Sequence, residues 1–176
     1  MNRPMKKHPT FSFTKTCFSV VFCCFWLLSL PACNDGREVN LTIPTEVYLV
    51  QAGLQTVGFP ESGEPQAVLT VYKGGYNDDG VTVRLGISEY ALDRYNEENA
   101  TGYRMLPETY CTFDTRSVEL GAKRWKANVT VTFRASELLA ELPSGSEWVL
   151  PVAVTGISSG EVNADKSSVL LLLQIP

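Results

Sequence analysis

The sequence predicts an all-β domain, an immunoglobulin-like β-sandwich of about seven strands with one short inserted helix. Short segments rich in Val, Leu and Thr read as strands, turn residues separate them, and only one longer stretch has helical periodicity. The 176 residues contain no internal repeat, and their number suits one domain behind a short leader. Such a set of elements is typical of two packed β-sheets.

The predicted strands place apolar side chains at alternate positions. In 81–87, Val81, Val83 and Leu85 alternate with polar residues or glycine, as expected of a strand with one face in water. The last segment is apolar enough for a central strand that is covered on both faces. The predicted strands are 47–53, 67–73, 81–87, 117–120, 127–133, 147–155 and 167–175.

One segment, 88–102, has the pattern of an amphipathic helix. Ser88 suits the N-cap position, and Gly102 suits the end of the helix. The apolar stripe consists of Ala91, Leu92 and Tyr95. A further helical turn is predicted at 135–142. The turn-rich "YNDDG" at 76–80 predicts a β-hairpin in preference to a calcium loop, because the spacing of a calcium loop is absent.

Residues 1–32 have the profile of a signal peptide. Four basic residues and no acidic residue precede an almost wholly apolar run at 17–30. This run is shorter than the roughly 20 apolar residues that a spanning helix needs. Two alternatives stay open: an uncleaved anchor helix, and ordinary secretion in which Cys33 has no special role.

The residues Leu30, Pro31, Ala32 and Cys33 resemble the lipobox of bacterial lipoproteins. The resemblance implies cleavage before Cys33 and acylation of that cysteine, and several acyl chains on one residue make a durable membrane anchor. The expected location is therefore the cell envelope, as an outer-membrane lipoprotein that faces the surface or the periplasm. The predicted organisation is a signal peptide at 1–32, a tether at 33–45 and a β-sandwich domain at 46–176.

Charge argues against nucleic acid as a partner. Without the four basic residues of the leader, 11 basic side chains stand against 19 acidic ones, a net charge of −8. Nucleic acids and anionic lipid surfaces require a concentrated basic face. The one basic cluster, which we interpret as a solvated strand flank, consists of Lys123, Arg124 and Lys126.

Cysteine and histidine content argues against an enzyme. Removal of 1–32 leaves Cys33 and Cys111 and no histidine. If Cys33 is acylated, Cys111 has no disulfide partner, and we interpret it as a buried, inert thiol. A nucleophilic cysteine or serine normally needs a histidine or an equivalent base. We therefore expect no catalytic residues, no metal site and no cofactor.

Three stretches carry a resemblance to a known family. They are "LDRYNEENATGYRMLPETY", "VELGAKRWKANVTV" and "EWVLPVAVTGISSGEVNADKSSVLLLL". Over about 47–173 the chain resembles a domain family of unknown function found near the N-terminus of Bacteroidetes lipoproteins. The resemblance implies a β-sandwich module of glycan-utilisation systems, in which relatives join carbohydrate-binding or glycoside-hydrolase domains. This chain departs from that layout because it ends at Pro176.

Aromatic side chains are the candidates for ligand binding, since a flat ring can stack on the apolar face of a sugar. The candidates are Trp125, Tyr76, Tyr90 and Tyr103, and we assign Trp148 and Tyr95 to the core. The acidic row of Glu89, Asp93 and Glu97 is interpreted as a solvated helix face. The predicted function is a non-enzymatic, lipid-anchored module that binds an oligosaccharide or docks on a partner protein. The alternative is a structural spacer, or a remnant of a longer lipoprotein, with no ligand of its own.

Overall fold

The structure is a computed structural model that describes residues 43–76, 79–143, 145 and 147–176. Within these residues, eleven strands form two β-sheets. The five-stranded sheet has the order β10-β1-β3-β8-β6, and the second sheet has the order β2-β11-β9-β4-β7 with β5 paired to β9. The strands are β1 (Ile43–Leu49), β2 (Gly53–Gly58), β3 (Gln66–Tyr76), β4 (Val81–Ile87), β5 (Arg104–Met105), β6 (Cys111–Phe113), β7 (Ser117–Leu120), β8 (Lys126–Phe133), β9 (Trp148–Ile157), β10 (Glu161–Val162) and β11 (Ser168–Gln174). The predicted leader and Cys33 lie outside the described residues.

Alternating apolar residues of both sheets build one core between them. β8 shows the pattern clearly, because Ala127, Val129, Val131 and Phe133 are buried while the residues between them are exposed or half-buried. Side chains from β1 and β3 join the same cluster as side chains from β4, β7, β9 and β11. Burial of a full Val, Leu or Phe side chain stabilises a fold by about 1.5–3 kcal/mol. The all-β sandwich is thus confirmed, while its immunoglobulin-like strand order stays a prediction.

The longer helix, α1 (Glu89–Asn99), begins as the sequence predicts. The Ser88 hydroxyl accepts a hydrogen bond from the Ala91 N–H at 3.2 Å, which caps the first turn. The helix ends earlier than predicted: Ala100, and not Gly102, takes the left-handed position with φ 52°. The second helix, α2 (Ala135–Glu141), confirms the predicted turn at 135–142.

Helix α1 covers the outer face of the six-stranded sheet. Its Leu92 packs with Val149 of β9 and Leu170 of β11, in a second apolar cluster. β11 lies between β2 and β9 and is buried on both faces, which confirms the prediction of a central strand. None of the described helices is long and apolar enough to cross a membrane.

Three predictions about the strands were wrong. The number about seven is too low, because β2 was not predicted and three other strands have two or three residues. β2 runs parallel to β11, a pairing that joins distant parts of the chain and leaves no local pattern.

The segment 76–80 does not close a hairpin, because β3 and β4 belong to different sheets. Turn residues reverse the chain, but they do not decide whether the flanking strands pair. The first strand also begins at Ile43, within the predicted tether.

Candidate functional site

Trp125 lies in the connection that leads into β8, with 38% of its surface exposed. The Nζ of Lys73 lies 5.0 Å from the centroid of its ring, within the range of a cation–π contact. The two backbones are joined as well, since the Lys73 N–H donates to the Trp125 carbonyl at 2.7 Å. One face of this candidate ring therefore has a structural partner.

Lys73 is the buried charge that this contact covers. Its side chain has no exposed surface. Nζ donates to the carbonyl oxygens of Asp79, at 2.6 Å, and Gly121, at 3.4 Å. A buried ammonium costs free energy unless hydrogen bonds or aromatic faces replace water. The Trp125 ring and the carbonyl oxygens of Asp79 and Gly121 supply that replacement at one end of the sandwich.

Two of the three tyrosines that the sequence predicts as ligand-binding residues, Tyr90 and Tyr103, belong to α1 and to the segment that follows it. Tyr90 is 73% exposed in the first turn of α1. Tyr103 stacks on Tyr95 with ring centroids 6.1 Å apart, and both pack against the cluster beneath α1, so the core assignment of Tyr95 is confirmed. The Tyr76 side chain is outside the described part of the structure. No ring contact between described residues brings Trp125 together with Tyr90 or Tyr103. Their role in binding stays a prediction.

A different aromatic pair occupies the outer face of the five-stranded sheet. Tyr48 of β1 and Tyr72 of β3 are direct cross-strand partners, with ring centroids 5.1 Å apart and planes tilted by 33°. Lys126 of β8 is the register partner of Tyr72 on its other side. Lys166 places its Nζ 5.1 Å from the centroid of the Tyr48 ring. These four residues follow one another in space across this face. We call them the tyrosine row: Lys126, Tyr72, Tyr48 and Lys166.

Polar side chains form a second line beside the tyrosine row. The Gln51 Nε2 donates to the Thr70 hydroxyl at 3.1 Å, and the Thr70 hydroxyl donates to Asn128 Oδ1, also at 3.1 Å. The Thr70 N–H in turn donates to Gln51 Oε1 at 2.8 Å. Asn128 is exposed, and its amide nitrogen carries donors suited to a hydroxyl-rich ligand. Thr70 and Asn128 are register partners that lie two residues along β3 and β8 from Tyr72 and Lys126, on the same face of the sheet.

The sequence reasoning missed this face. Tyr48 and Tyr72 occupy alternate, outward positions of two predicted strands, at 47–53 and 67–73, so their orientation was readable from periodicity. Their adjacency was not, because it depends on the register between β1 and β3. That register includes an irregularity between Ile43 and Glu46.

The surroundings of Tyr48 favour the neutral form of its phenol. Burial, then Tyr72, then the carboxylate of Glu46 raise the pKa of Tyr48 above its usual value. A neutral phenol can both donate to and accept from a sugar hydroxyl. Glu46 itself accepts from the Asn163 Nδ2 at 3.0 Å.

Cys111 is buried in β6, as the sequence predicts, with 6% of its surface exposed. Burial, and to a lesser extent Glu108, raise the pKa of this thiol to about 11. Its Sγ donates weakly to the Glu108 carbonyl at 3.5 Å. The nucleophilic thiolate is therefore scarce at neutral pH.

The described acidic side chains include a row on α1 and one residue in a cleft. Glu89, Asp93 and Glu97 are exposed on α1, which confirms the solvated face. An open cleft of about 660 Å³ lies between the segment 58–63, α2 and the C-terminal residues, and Glu61 is the single ionisable side chain of its lining. Glycoside hydrolysis normally uses two carboxylates across the scissile bond. Within the described residues, no group of three or more His, Cys, Asp or Glu side chains could hold a metal ion.

Comparison with solved structures supports the fold. A candidate carbohydrate-binding protein from Bacteroides ovatus matches with a TM-score of 0.62 and 19% identity, over 74% of this chain and 37% of that one. A two-domain protein of unknown function from Bacteroides fragilis matches with a TM-score of 0.56 and 16% identity, over 76% and 46%. EndoBT-3987 from Bacteroides thetaiotaomicron, solved with a Man5GlcNAc product, matches with a TM-score of 0.52 and 21% identity, over 73% and 30%.

The chain spans about a third to a half of the length of these structures. No curated protein matches it. Residues 43–161 match the model of a family of N-terminal domains, a region that contains β1 to β9 and both α-helices. The chain therefore belongs to this family of N-terminal domains.

Proposed function

We propose that this protein is a non-enzymatic, lipid-anchored module of the cell envelope that binds an oligosaccharide on the outer face of its five-stranded sheet. One observation carries the proposal: the pair Tyr48 and Tyr72 lies beside the hydrogen-bonded line of Gln51, Thr70 and Asn128. Rings that stack on a sugar and side chains that satisfy its hydroxyls are the two elements of such a site.

The relatives agree with a glycan-related role. One structural neighbour is a candidate carbohydrate-binding protein, and another was solved with an oligosaccharide product. A non-enzymatic role agrees with the buried thiol of Cys111 and with Glu61 as the single ionisable side chain of the cleft lining. The lipid anchor rests on Cys33 and the lipobox resemblance.

The same face ranks above Trp125 as the binding platform. Each site has a lysine ammonium about 5 Å from one ring centroid, but Trp125 presents a single ring, whereas the sheet places two rings side by side. Stacking of nucleic-acid bases on aromatic rings contributes about 1–3 kcal/mol per ring, and we use that value as an analogy. Since each 1.4 kcal/mol is about tenfold in Kd, loss of one ring weakens binding at least about fivefold. We expect a weak and metal-independent complex.

Isothermal titration of the full chain against host and plant oligosaccharides, with and without chelator, tests the proposal. Tyr48→Ala and Tyr72→Ala are expected to lose binding, and thermal melts verify that each variant is folded. Leu139→Ala is the control, because it removes a large, exposed apolar side chain from α2 and away from the candidate aromatic residues. Retained binding in both sheet variants, together with loss in Trp125→Ala, would move the site to Trp125. Failure of the unaltered protein to bind any glycan favours the spacer, and sensitivity to chelator contradicts a metal-free site.

A further inference from the structure

We propose that the ligand of the tyrosine row is an acidic oligosaccharide, whose carboxylate or sulfate groups pair with Lys126 and Lys166. This inference rests on the proposed function of the same face. The two lysines stand at opposite ends of the row, with the rings between them. A ligand that stacks on the rings places its substituents beside one ammonium or the other.

Both lysines are available for a ligand's charge. Lys126 is exposed and lies beside Tyr72 through the β3–β8 register. Lys166 is exposed and lies against the Tyr48 ring. The ion pairs of the described residues use other side chains: Arg94 with Glu98, Arg116 with Glu108, and Arg134 with Glu137.

The Lys126 end of the row is the more basic one. Lys123 and Arg124 are exposed in the connection just before it, whereas the chain without 1–32 has a net charge of −8. A basic group on an otherwise acidic surface attracts anions, while the acidic surface around it repels them. The row thus marks the position at which an acidic chain can approach.

The Lys166 end carries compensating acids. Glu46 lies on the same face as Tyr48, with its Oε1 held by Asn163, and Glu161 is its register partner on β10. Asp165 is exposed next to Lys166. We therefore expect Lys126 to contribute more than Lys166 to the preference for acidic ligands.

Matched pairs of ligands test the charge preference on the full chain. Oligogalacturonate is compared with its methyl ester, and a sulfated oligosaccharide with its desulfated form, so that the rings stay the same and only the charge changes. We expect the acidic member to bind more tightly, and its advantage to shrink as salt rises from about 0.01 to 1 M, because the screening length falls from about 30 to 3 Å.

Charge-removing variants identify the residues. An exposed ion pair contributes about 0.2–1 kcal/mol, so Lys126→Gln should weaken binding of the acidic ligand by up to about fivefold and leave the neutral one unchanged. Lys166→Gln should have a smaller effect of the same kind. Arg94→Gln on α1 is the matched control, since it makes the same change in net charge away from this sheet.

The outcomes separate the two proposals. If the acidic and neutral members bind equally and Tyr72→Ala abolishes the binding of both, the acidic preference is overturned and the proposed sugar-binding face is retained. Equal effects of Lys126→Gln and Arg94→Gln also overturn it, because the preference would then come from net charge alone. No binding of either member of any pair, with binding of another glycan, overturns the acidic preference alone, whereas no binding of any glycan overturns the proposed function and the acidic preference with it.

Discussion

The ammonium of Lys73 lies 5.0 Å from the centroid of the Trp125 ring, and it has no exposed surface. The ring therefore closes one end of the sandwich over a buried charge. Loss of the cover would leave the ammonium with the carbonyl oxygens of Asp79 and Gly121 and with entering water. Trp125 is thereby expected to affect stability as well as any binding.

We expect Trp125→Ala to lower the free energy of unfolding by about 1–3 kcal/mol. A cation–π contact contributes about 0.5–2 kcal/mol, and the partly buried indole adds apolar area. Trp125→Phe, which keeps a ring over Lys73, should recover part of the loss. Urea denaturation measures both values. An unchanged free energy of unfolding in Trp125→Ala would show that the ring does not stabilise the buried lysine.

Replacement of Ala100 by glycine should stabilise the protein. Its φ of 52° makes it the one non-glycine residue with positive φ in the described part of the chain. A side chain in this region costs about 1–2 kcal/mol. We expect Ala100→Gly to raise the free energy of unfolding by about 1 kcal/mol. Ala91→Gly inside α1 is the control, with an expected loss of about 1 kcal/mol, and the same sign for both variants would contradict the cap assignment.

Cys111 should react only when the protein unfolds. Its thiol is 6% exposed, so iodoacetamide should label it slowly in the native protein and rapidly in denaturant. Mass spectrometry after timed quenching measures both rates. Cys111→Ser removes the labelled position and serves as the blank. Rapid labelling of the native protein would contradict a closed core around β6.

The same thiol should make stability depend on alkaline pH. Burial raises its pKa from 9.0 to about 11 in the folded protein, so the folded state holds the proton more tightly than the unfolded state. The stabilisation is full below pH about 9 and is lost as pH rises through about 11. Two pKa units correspond to roughly 2–3 kcal/mol. Denaturation curves of the natural protein and Cys111→Ala between these pH values should converge, and parallel curves would contradict the shift.

Cys33 is expected to be the acylated N-terminus of the mature protein. The basic head, the short apolar run and the residues Leu30 to Cys33 predict it. Intact mass of the membrane-extracted protein should show loss of 1–32 and the added mass of the acyl chains. Cys33→Ala should abolish both changes. Soluble, unmodified natural protein would refute the anchor.

Periodicity alone determined much of the fold. Val81–Ile87 and Ser117–Leu120 form strands with the predicted bounds, and Ser88 caps α1 as expected. These features depend on neighbours within a few residues, which the sequence displays directly. The solvated acidic row on α1 followed from the same local reasoning. The burial of Cys111 was predicted on a different ground, its lack of a disulfide partner and of a histidine.

Only the tertiary structure decided which distant residues meet. β2 became a strand because β11 offered it a parallel partner, and the segment after Tyr76 leads from one sheet to the other. Tyr48 and Tyr72 form a pair because β1 and β3 share one register, and Lys73 lies under Trp125 because two connections, between β3 and β4 and between β7 and β8, converge there. Local patterns in the sequence decide whether a side chain faces the core or water. Contacts across the sheets depend on strand order and register, which are set by the packing of the whole core.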